Sequence, residues 1–340
     1  MMDRFSRLAL GGSAAAAIAI TVCALLFGAV AARGWVCGFI LVSMVPIGSL
    51  ALLMVHGVTG GRWGRDLAPM LIPAARCIPL LLVAFLPVLL WRPEIWRWDE
   101  LHLPPDVRAL YLNPVFFDAR TILALAVWSG LAWCQVWRRP LTAGLGLVAH
   151  LILMTLIPAD WVLTLRPGSV SAGFGFGFGV EQIGAALSLA AVLAVQGRDP
   201  RAGRDLSGMI LSALLGTMYF VAMQFIVTWY GNVPDKVRWY VVRAGDGWPI
   251  LALAALMLGA VLPFLALLHP SVRRAPACLR WAGALALGGV ALHVAWLTAP
   301  AWGATSQAPA LLAALAMGLV LAAAARTPGF AAVGAIDGRA

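Results

Sequence analysis

The feature that most constrains this chain is a succession of apolar runs, each long enough to cross a lipid bilayer. A transmembrane helix needs about 20 apolar residues, since each residue advances the helix by about 1.5 Å. Backbone polar groups must be paired within the segment in lipid, so such runs span as helices. We therefore predict an all-α polytopic membrane protein of about ten helices, a single integral-membrane domain 1–340 with spans near 8–32, 35–56, 71–91, 120–138, 141–159, 173–196, 207–230, 248–268, 280–298 and 308–325.

The first apolar run resembles a signal peptide, because Arg4 and Arg7 precede it. Its length exceeds the apolar region of about 7–15 residues that is usual in a cleaved signal. We therefore expect an uncleaved first transmembrane helix.

The arginines lie mainly in connections on one side of the predicted bundle. The formal net charge of +10 would by itself suggest a nucleic-acid partner, but its arrangement argues against one. The connections on the side of the N-terminus carry Arg62, Arg138, Arg139, Arg273 and Arg274, among others. Cytoplasmic loops of membrane proteins are enriched in Lys and Arg. This distribution predicts cytoplasmic termini and a charge that meets anionic lipid.

The cysteines offer no metal-binding pattern. All five lie in or beside apolar runs, and the sequence contains neither CxxC nor CxxCH. Iron–sulfur and c-type haem sites need such spacings. We therefore expect no metal site and no cofactor bound by this chain alone, although quinone or quinol binding stays open.

Polar and ionisable side chains within the predicted spans form a broken line across the membrane. Ionisable residues at such depths are costly, so each is a functional candidate. Glu181 is the strongest, because a lone carboxylate there must be paired or protonated. Such a line could relay protons or hold a quinone head group; from the cytoplasmic side outward its members are His56, Asp66, His150, Asp160, Glu181, Gln224 and Tyr230.

Structural alternatives exist for several of these candidates. His56 adjoins a glycine-rich turn. The alternative to a functional His56 is that this turn is only an interfacial connection between two helices. His150 can equally be a structural histidine bonded to a backbone carbonyl, and Asp160 a solvated helix end. Depth follows from position in the sequence, whereas the direction in which each side chain points does not.

Two outer loops, 92–119 and 231–247, are long and rich in aromatic residues. Trp and Tyr favour the membrane–water boundary, and a long loop between packed helices usually has a function. We interpret both loops as partner contacts, with candidate residues Trp96, Trp98, Tyr111, Asp235, Arg238 and Trp239.

Four stretches of the chain resemble the F-type integral-membrane subunit of bacterial alternative complex III, in the NrfD-like polysulfide-reductase superfamily. They read HGVTGGRWGRD (56–66), YLNPVFFDAR (111–120), PADWVLTLRP (158–167) and YFVAMQFIVTWYGNVPDKVRWYVVR (219–243). The last is the most specific. The resemblance implies ten helices arranged as two four-helix bundles with two flanking helices, in a bacterial inner membrane.

The same resemblance implies a role in electron transport and a set of partners. They are a sister NrfD-like membrane subunit, an extracytoplasmic iron–sulfur subunit, c-type cytochrome subunits and, in some complexes, a terminal oxidase. The metals lie in those other subunits. In the family the sister subunit is the better-supported quinol site, while the F-type subunit is assigned to scaffolding and proton conduction.

Two other functions remain open from the residues. A secondary transporter of a small solute would place binding groups near the midplane on interrupted helices, and His150 is the residue that fits. A membrane b-haem protein would use His150 and His293 as ligands. Catalysis by this chain alone has little support in the sequence, because no nucleophile–base pair is recognisable.

Overall fold

The computed structural model describes residues 28–96, 98, 105, 107–165, 171, 173–193, 199–231 and 234–331, and the described residues contain no β-strand. Nine of the helices there are long and apolar enough to cross a membrane. The chain is thus an all-α polytopic membrane protein, as predicted. Most of the predicted first span, 8–32, lies outside the described residues.

Nine spans follow one another along the described part of the chain. They are α1 (Ala29–Thr59), α2 (Trp63–Leu90), α3 (Pro114–Trp133), α4 (Pro140–Leu165), α5 (Phe174–Val192), α6 (Pro200–Gly231), α8 (Trp248–Leu268), α9 (Pro276–Ala301) and α10 (Ala304–Ala325). A short helix, α7 (Pro234–Val241), separates α6 from α8. Helix α8 contains a π-helical segment at Met257–Val261.

The described spans form two groups of four helices. Helix α1 packs against α2 and α4, while α3 closes that group through α2 and α4. Helix α5 packs against α6 and α9, and α8 completes the second group through α9. The two groups meet where α1 and α5 touch, and α10 covers the outer side of α1.

The connections distinguish the two ends of the bundle. We call one the arginine-rich end, since it carries Arg62, Arg138, Arg201 and Arg273. The opposite, tryptophan-rich end carries residues such as Trp91, Trp96, Trp229, Trp239 and Trp302. Contacts between connections agree with this assignment of the two ends. Arg62 pairs with Asp199 at the arginine-rich end, and the Trp302 indole donates a hydrogen bond to the Ile95 carbonyl at the tryptophan-rich end.

Several helices extend beyond their predicted limits. Helix α3 begins at Pro114 instead of residue 120, and α6 begins at Pro200 instead of 207. The apolar runs do not reveal these turns, because polar caps stabilise them. The Asn113 side chain accepts a hydrogen bond from the Val115 amide, and the Asp199 side chain accepts one from the Arg201 amide. Such caps pair the free amides of the first turn.

The start of α1 is a further difference from the prediction. The residues 29–32, expected at the end of the first span, belong to the same continuous helix as the second, Ala29–Thr59. Arg33, which marked the predicted break, lies within this helix and donates a hydrogen bond to the Glu94 carbonyl. An arginine near a helix end does not interrupt the helix when its guanidinium is hydrogen-bonded, because the long side chain can reach polar atoms at the interface.

Candidate functional site

A cavity of about 510 Å³ lies inside the second helix group, between α5, α6, α8 and α9. Its walls are mainly apolar, and the polar side chains that line it include Glu181, Gln224, Thr228, Tyr240, Arg243 and His293. On the cavity wall, Gly259 of α8 faces Gly289 of α9. A Cβ placed on Gly259 would lie 3.0 Å from the Cα of Gly289, so these backbones meet more closely than larger residues would allow.

The central polar feature of the cavity is a Glu181–His293 pair. The imidazole Nδ1 lies 2.8 Å from each carboxylate oxygen, and Glu181 is buried. A carboxylate at this depth needs such a partner, because lipid does not solvate the charge. An imidazole and a carboxylate in contact can take up and release a proton as a unit. The pair is therefore the best-placed acid–base group in the described structure.

Gln224 lies on the wall of the same cavity as this pair. A Cβ placed on Gly177 would lie 3.4 Å from the Gln224 amide nitrogen. Gly177 is one helical turn before Glu181, so both face the same side of α5. Glu181 and Gln224 were predicted at similar depths, and the structure brings them to one cavity.

Arg243 closes the cavity at the tryptophan-rich end. Its guanidinium lies 3.3 Å from the centre of the Trp239 ring and 5.4 Å from that of Trp296. It also donates hydrogen bonds to the carbonyls of Trp239 and Leu297, at 3.0 Å each. The last two contacts fix α7 against the end of α9. The Trp296 ring in turn stacks on His293, with centroids 5.9 Å apart.

Tyr240 lines the cavity on the same short helix. Burial raises the pKa of its phenol, whereas the positive charge of Arg243 and a hydrogen bond with Thr228 act in the opposite direction. The phenol is therefore protonated at neutral pH, as an ordinary tyrosine is, and it can donate a hydrogen bond to a ligand.

The other candidates of the predicted polar line do not reach the cavity. At the arginine-rich end, the His56 imidazole lies 3.0 Å from the Gly61 carbonyl oxygen and packs edge-on against Trp63. Asp66 is half-buried in the first turn of α2. Tyr230 is exposed on the outside of the bundle.

His150 and Asp160 belong to the first helix group. The Trp128 indole donates a hydrogen bond to His150 Nδ1 at 3.1 Å. Asp160 is fully buried and accepts two hydrogen bonds from Arg120, at 2.7 and 3.1 Å. Asp160 is therefore not a solvated helix end. The predicted line is in fact several separate clusters, because depth alone could not show which way each residue faces.

The hydrogen-bond partners of His150 and His293 also test the b-haem alternative. His150 bonds to an indole in the first group, while His293 bonds to Glu181 in the second. Two axial ligands must face each other across one porphyrin. These two histidines instead face different partners in different helix groups, so their arrangement does not support bis-histidine ligation.

The candidate partner contacts divide into buried and exposed residues. Trp96 and Trp98 were predicted at an outer surface, but both are buried. The rings of Trp96 and Phe117 are 4.6 Å apart, and the Trp98 indole donates to the Thr164 carbonyl at 3.0 Å. Tryptophan suits a buried site as well as a boundary when its N–H finds an acceptor, as that of Trp98 does, while Trp96 is held by its ring contacts. These two residues therefore secure the loop against the bundle.

The remaining partner candidates lie nearer the surface. Tyr111 is half-buried under the Arg120 guanidinium, 4.3 Å from its ring centre. Arg238 on α7 is exposed, while Trp239 is half-buried beneath Arg243. The side chain of Asp235 lies outside the described part of the structure.

Sequence reasoning missed two members of the site, His293 as the partner of Glu181 and Arg243 as the closing residue. A signal existed for the first. Glu181 lies seven residues from the start of α5, and His293 lies eight residues from the end of α9, so both are about 10–12 Å from the tryptophan-rich end. No comparable signal pointed to Arg243, which the sequence places only in a polar connection.

The fold and the cavity together define a class: a polytopic helical membrane protein with an acid–imidazole pair inside one helix group. Among the described residues, no group of three or more His, Cys, Asp or Glu side chains could hold a metal ion. A scan against protein-family models finds no match, and a search of curated proteins finds none either.

Proposed function

We propose that this chain is a membrane subunit of a quinol-oxidising respiratory complex of the alternative complex III type, and that its cavity binds the quinol ring. The observation that carries the proposal is the Glu181–His293 pair inside a largely apolar membrane cavity. A quinol has the matching chemistry, since an apolar ring carries two hydroxyl groups that release protons on oxidation. The sequence resemblance supports membership of such a complex, while the assignment of the quinol site to this subunit rests on the cavity and its pair.

In the proposed reaction a quinol becomes a quinone and releases two protons and two electrons. The Glu181–His293 pair accepts a hydroxyl proton and passes it on before the second is released. Gln224 and Tyr240, which line the same cavity, can bond to the ring oxygens. The electrons pass to iron–sulfur and c-type cytochrome subunits, which this proposal requires as partners.

The proposed orientation places the arginine-rich end in the cytoplasm of a bacterial cell. The tryptophan-rich end then faces the extracytoplasmic subunits. Exposed Arg238 lies on α7, which also closes the cavity through Trp239 and Arg243. A partner that docks on α7 is therefore only one short helix away from the quinol ring.

A transporter of a small solute is the second candidate, favoured by one observation. Helix α8 changes to a π-helical segment at Met257–Val261, and Gly259 and Ala260 of that segment line the cavity. Irregular helices at binding sites are common in transporters, and π-helical turns often mark functional sites. Accumulation of a water-soluble solute in proteoliposomes, without quinone binding, would favour this candidate.

The deciding experiment is a quinone titration of the purified protein in mild detergent. Trp239 and Trp296 line the cavity, so bound quinone should quench tryptophan fluorescence. We expect saturable quenching by short-chain ubiquinone or short-chain menaquinone, and about tenfold weaker binding by Glu181→Gln, equivalent to about 1.4 kcal/mol. The matched control is Glu94→Gln, which changes an exposed carboxylate at the same end of the bundle.

Two results would contradict the proposal. One is the absence of saturable quenching with either quinone. The other is equal weakening by Glu181→Gln and Glu94→Gln. Membership of a complex is tested separately, by gentle purification from native membranes and a search for a c-haem spectrum and iron–sulfur protein in the purified material.

A further inference from the structure

Two neighbouring walls of the cavity are less well packed than the others. Of the nine spans, α6 and α8 have the smallest buried share. The buried residues of α6 end at Leu214, although the helix continues to Gly231. In the segment Trp248–Leu256 of α8, Ala255 is the one buried residue. Both helices therefore lose packing toward the tryptophan-rich end.

The exposure of the cavity lining shows where the cavity opens. On α5 and α9, lining residues such as Phe178 and Leu297 are 3% and 2% exposed. Phe225 of α6 and Leu253 of α8 also line the cavity, yet they are 48% and 57% exposed. The opening is thus between α6 and α8, and its edges are apolar.

The contacts between these two helices give the opening its shape. Helix α6 packs against the π-helical segment of α8 and against Leu262–Leu268, in the half nearer the arginine-rich end. Toward the other end, Trp239 and Arg243 of the α7 region roof the cavity. The gap between α6 and α8 therefore widens toward α7 and faces sideways.

The depth of the gap places it in the hydrocarbon region. Phe225 lies six residues before the end of α6, and Leu253 five residues after the start of α8, so both are about 8–9 Å inside the span. Glu181 lies about 10 Å inside by the same measure. A molecule can therefore pass from the acyl chains to the pair without changing depth.

We propose that the gap between α6 and α8 is a lateral opening through which a ring with an aliphatic tail enters from the bilayer. The ring reaches Glu181 and His293, and the tail remains between Phe225 and Leu253. This inference rests on the proposed function and narrows the ligand to a tailed, lipid-dissolved quinol. The apolar edges favour such a molecule, because a hydrated solute would lose its water there without replacement hydrogen bonds.

The test uses ubiquinone and menaquinone head groups that carry a photoreactive diazirine at the end of an alkyl tail. Purified full-length protein is irradiated with each probe, and labelled residues are mapped by mass spectrometry. An excess of the short-chain quinone without diazirine identifies specific labelling. We expect specific labelling at the residues of α6 and α8 that line the cavity beside the gap, which are Val221, Gln224, Phe225, Thr228, Pro249, Ala252, Leu253 and Leu256.

Two variants test whether the width of the gap controls the specific labelling. Ala252 lines the cavity on α8, and Ala252→Phe should narrow the gap and reduce specific labelling at least fivefold. Ala222→Phe is the matched control, since Ala222 is exposed on α6 and does not line the cavity. It should label as the wild type does. Thermal unfolding of both variants verifies that they fold.

Each outcome has a separate meaning. Specific labelling elsewhere, or equal labelling of both variants, overturns the lateral opening while leaving quinone binding intact. Loss of all competed labelling with both head groups overturns the proposed function itself. Labelling at the two edges that Ala252→Phe alone suppresses supports the opening.

Discussion

Removal of His293 is the perturbation that most directly tests how the cavity is held together. In His293→Ala, the Glu181 carboxylate loses the imidazole that lies 2.8 Å from both of its oxygens. Breaking a buried ion pair costs about 3–5 kcal/mol, because the remaining charge is left without a partner. The cavity opens sideways and contains other polar groups, so we expect a loss at the lower end, about 3 kcal/mol.

The assay is thermal unfolding in detergent, followed by tryptophan fluorescence. For a chain of this size, 1 kcal/mol corresponds to about 2 °C in the unfolding midpoint, so His293→Ala should lower it by about 6 °C. His269→Ala is the matched control. His269 is exposed at the arginine-rich end, and its removal should change stability by less than about 0.5 kcal/mol.

A double variant separates loss of the pair from loss of packing. In Glu181→Gln with His293→Ala, the carboxylate itself is removed, so the penalty for an unpaired carboxylate disappears. We expect this double variant to be more stable than His293→Ala alone by at least about 1 kcal/mol. If it were less stable, by the sum of the two single effects, the two residues would be energetically independent and the reasoning would be refuted.

Three further predictions concern other parts of the bundle. Arg120→Ala should destabilise the protein by about 3 kcal/mol, because Asp160 is fully buried, and Arg120→Lys should recover only part of this in thermal unfolding. Burial and the nearby Asp160 raise the pKa of Tyr111 to about 12 from 10.0. Its contribution to stability is therefore present below pH 10 and is lost as the pH rises toward 12, so Tyr111→Phe should flatten that decline in unfolding midpoints measured between pH 9 and 12. Gly259→Ala should push α8 away from Gly289, which lies 3.0 Å from the added Cβ, and lower quinone affinity more than Gly288→Ala, where an added Cβ meets open space.

The sequence was sufficient for the fold class and for most of the spans. Apolar runs of span length can exist in lipid only as helices, so the number and approximate position of the helices follow from composition along the chain. The ends of the helices were harder to predict from the sequence. The first turns of α3 and α6 begin at the Asn113 and Asp199 caps, which hydropathy does not detect.

Only part of the candidate site could be predicted from the sequence, for a geometric reason. Position along a span gives the depth of a side chain, and Glu181 was selected on that basis. Its partner His293 is 112 positions away, and only the packing of α5 against α9 brings the two together. The tryptophans show the same limit: Trp96 and Trp98 have the composition of a boundary surface, and only their burial shows that they are internal.

The size of the cavity and the chemistry of its pair restrict the occupant together more than either does alone. An empty void inside a protein is costly, and a cavity of about 510 Å³ that opens sideways to the bilayer can be filled by lipid, by water or by a ligand. Such a cavity is stable only when something fills it. An acyl chain could fill the volume through the gap between α6 and α8, but it would leave Glu181 and His293 with only each other. Water could solvate the pair, but it would wet apolar walls. A ring with two hydroxyl groups and an aliphatic tail satisfies the walls, the pair and the gap at once, which is why we favour a quinol over a lipid or a hydrated solute.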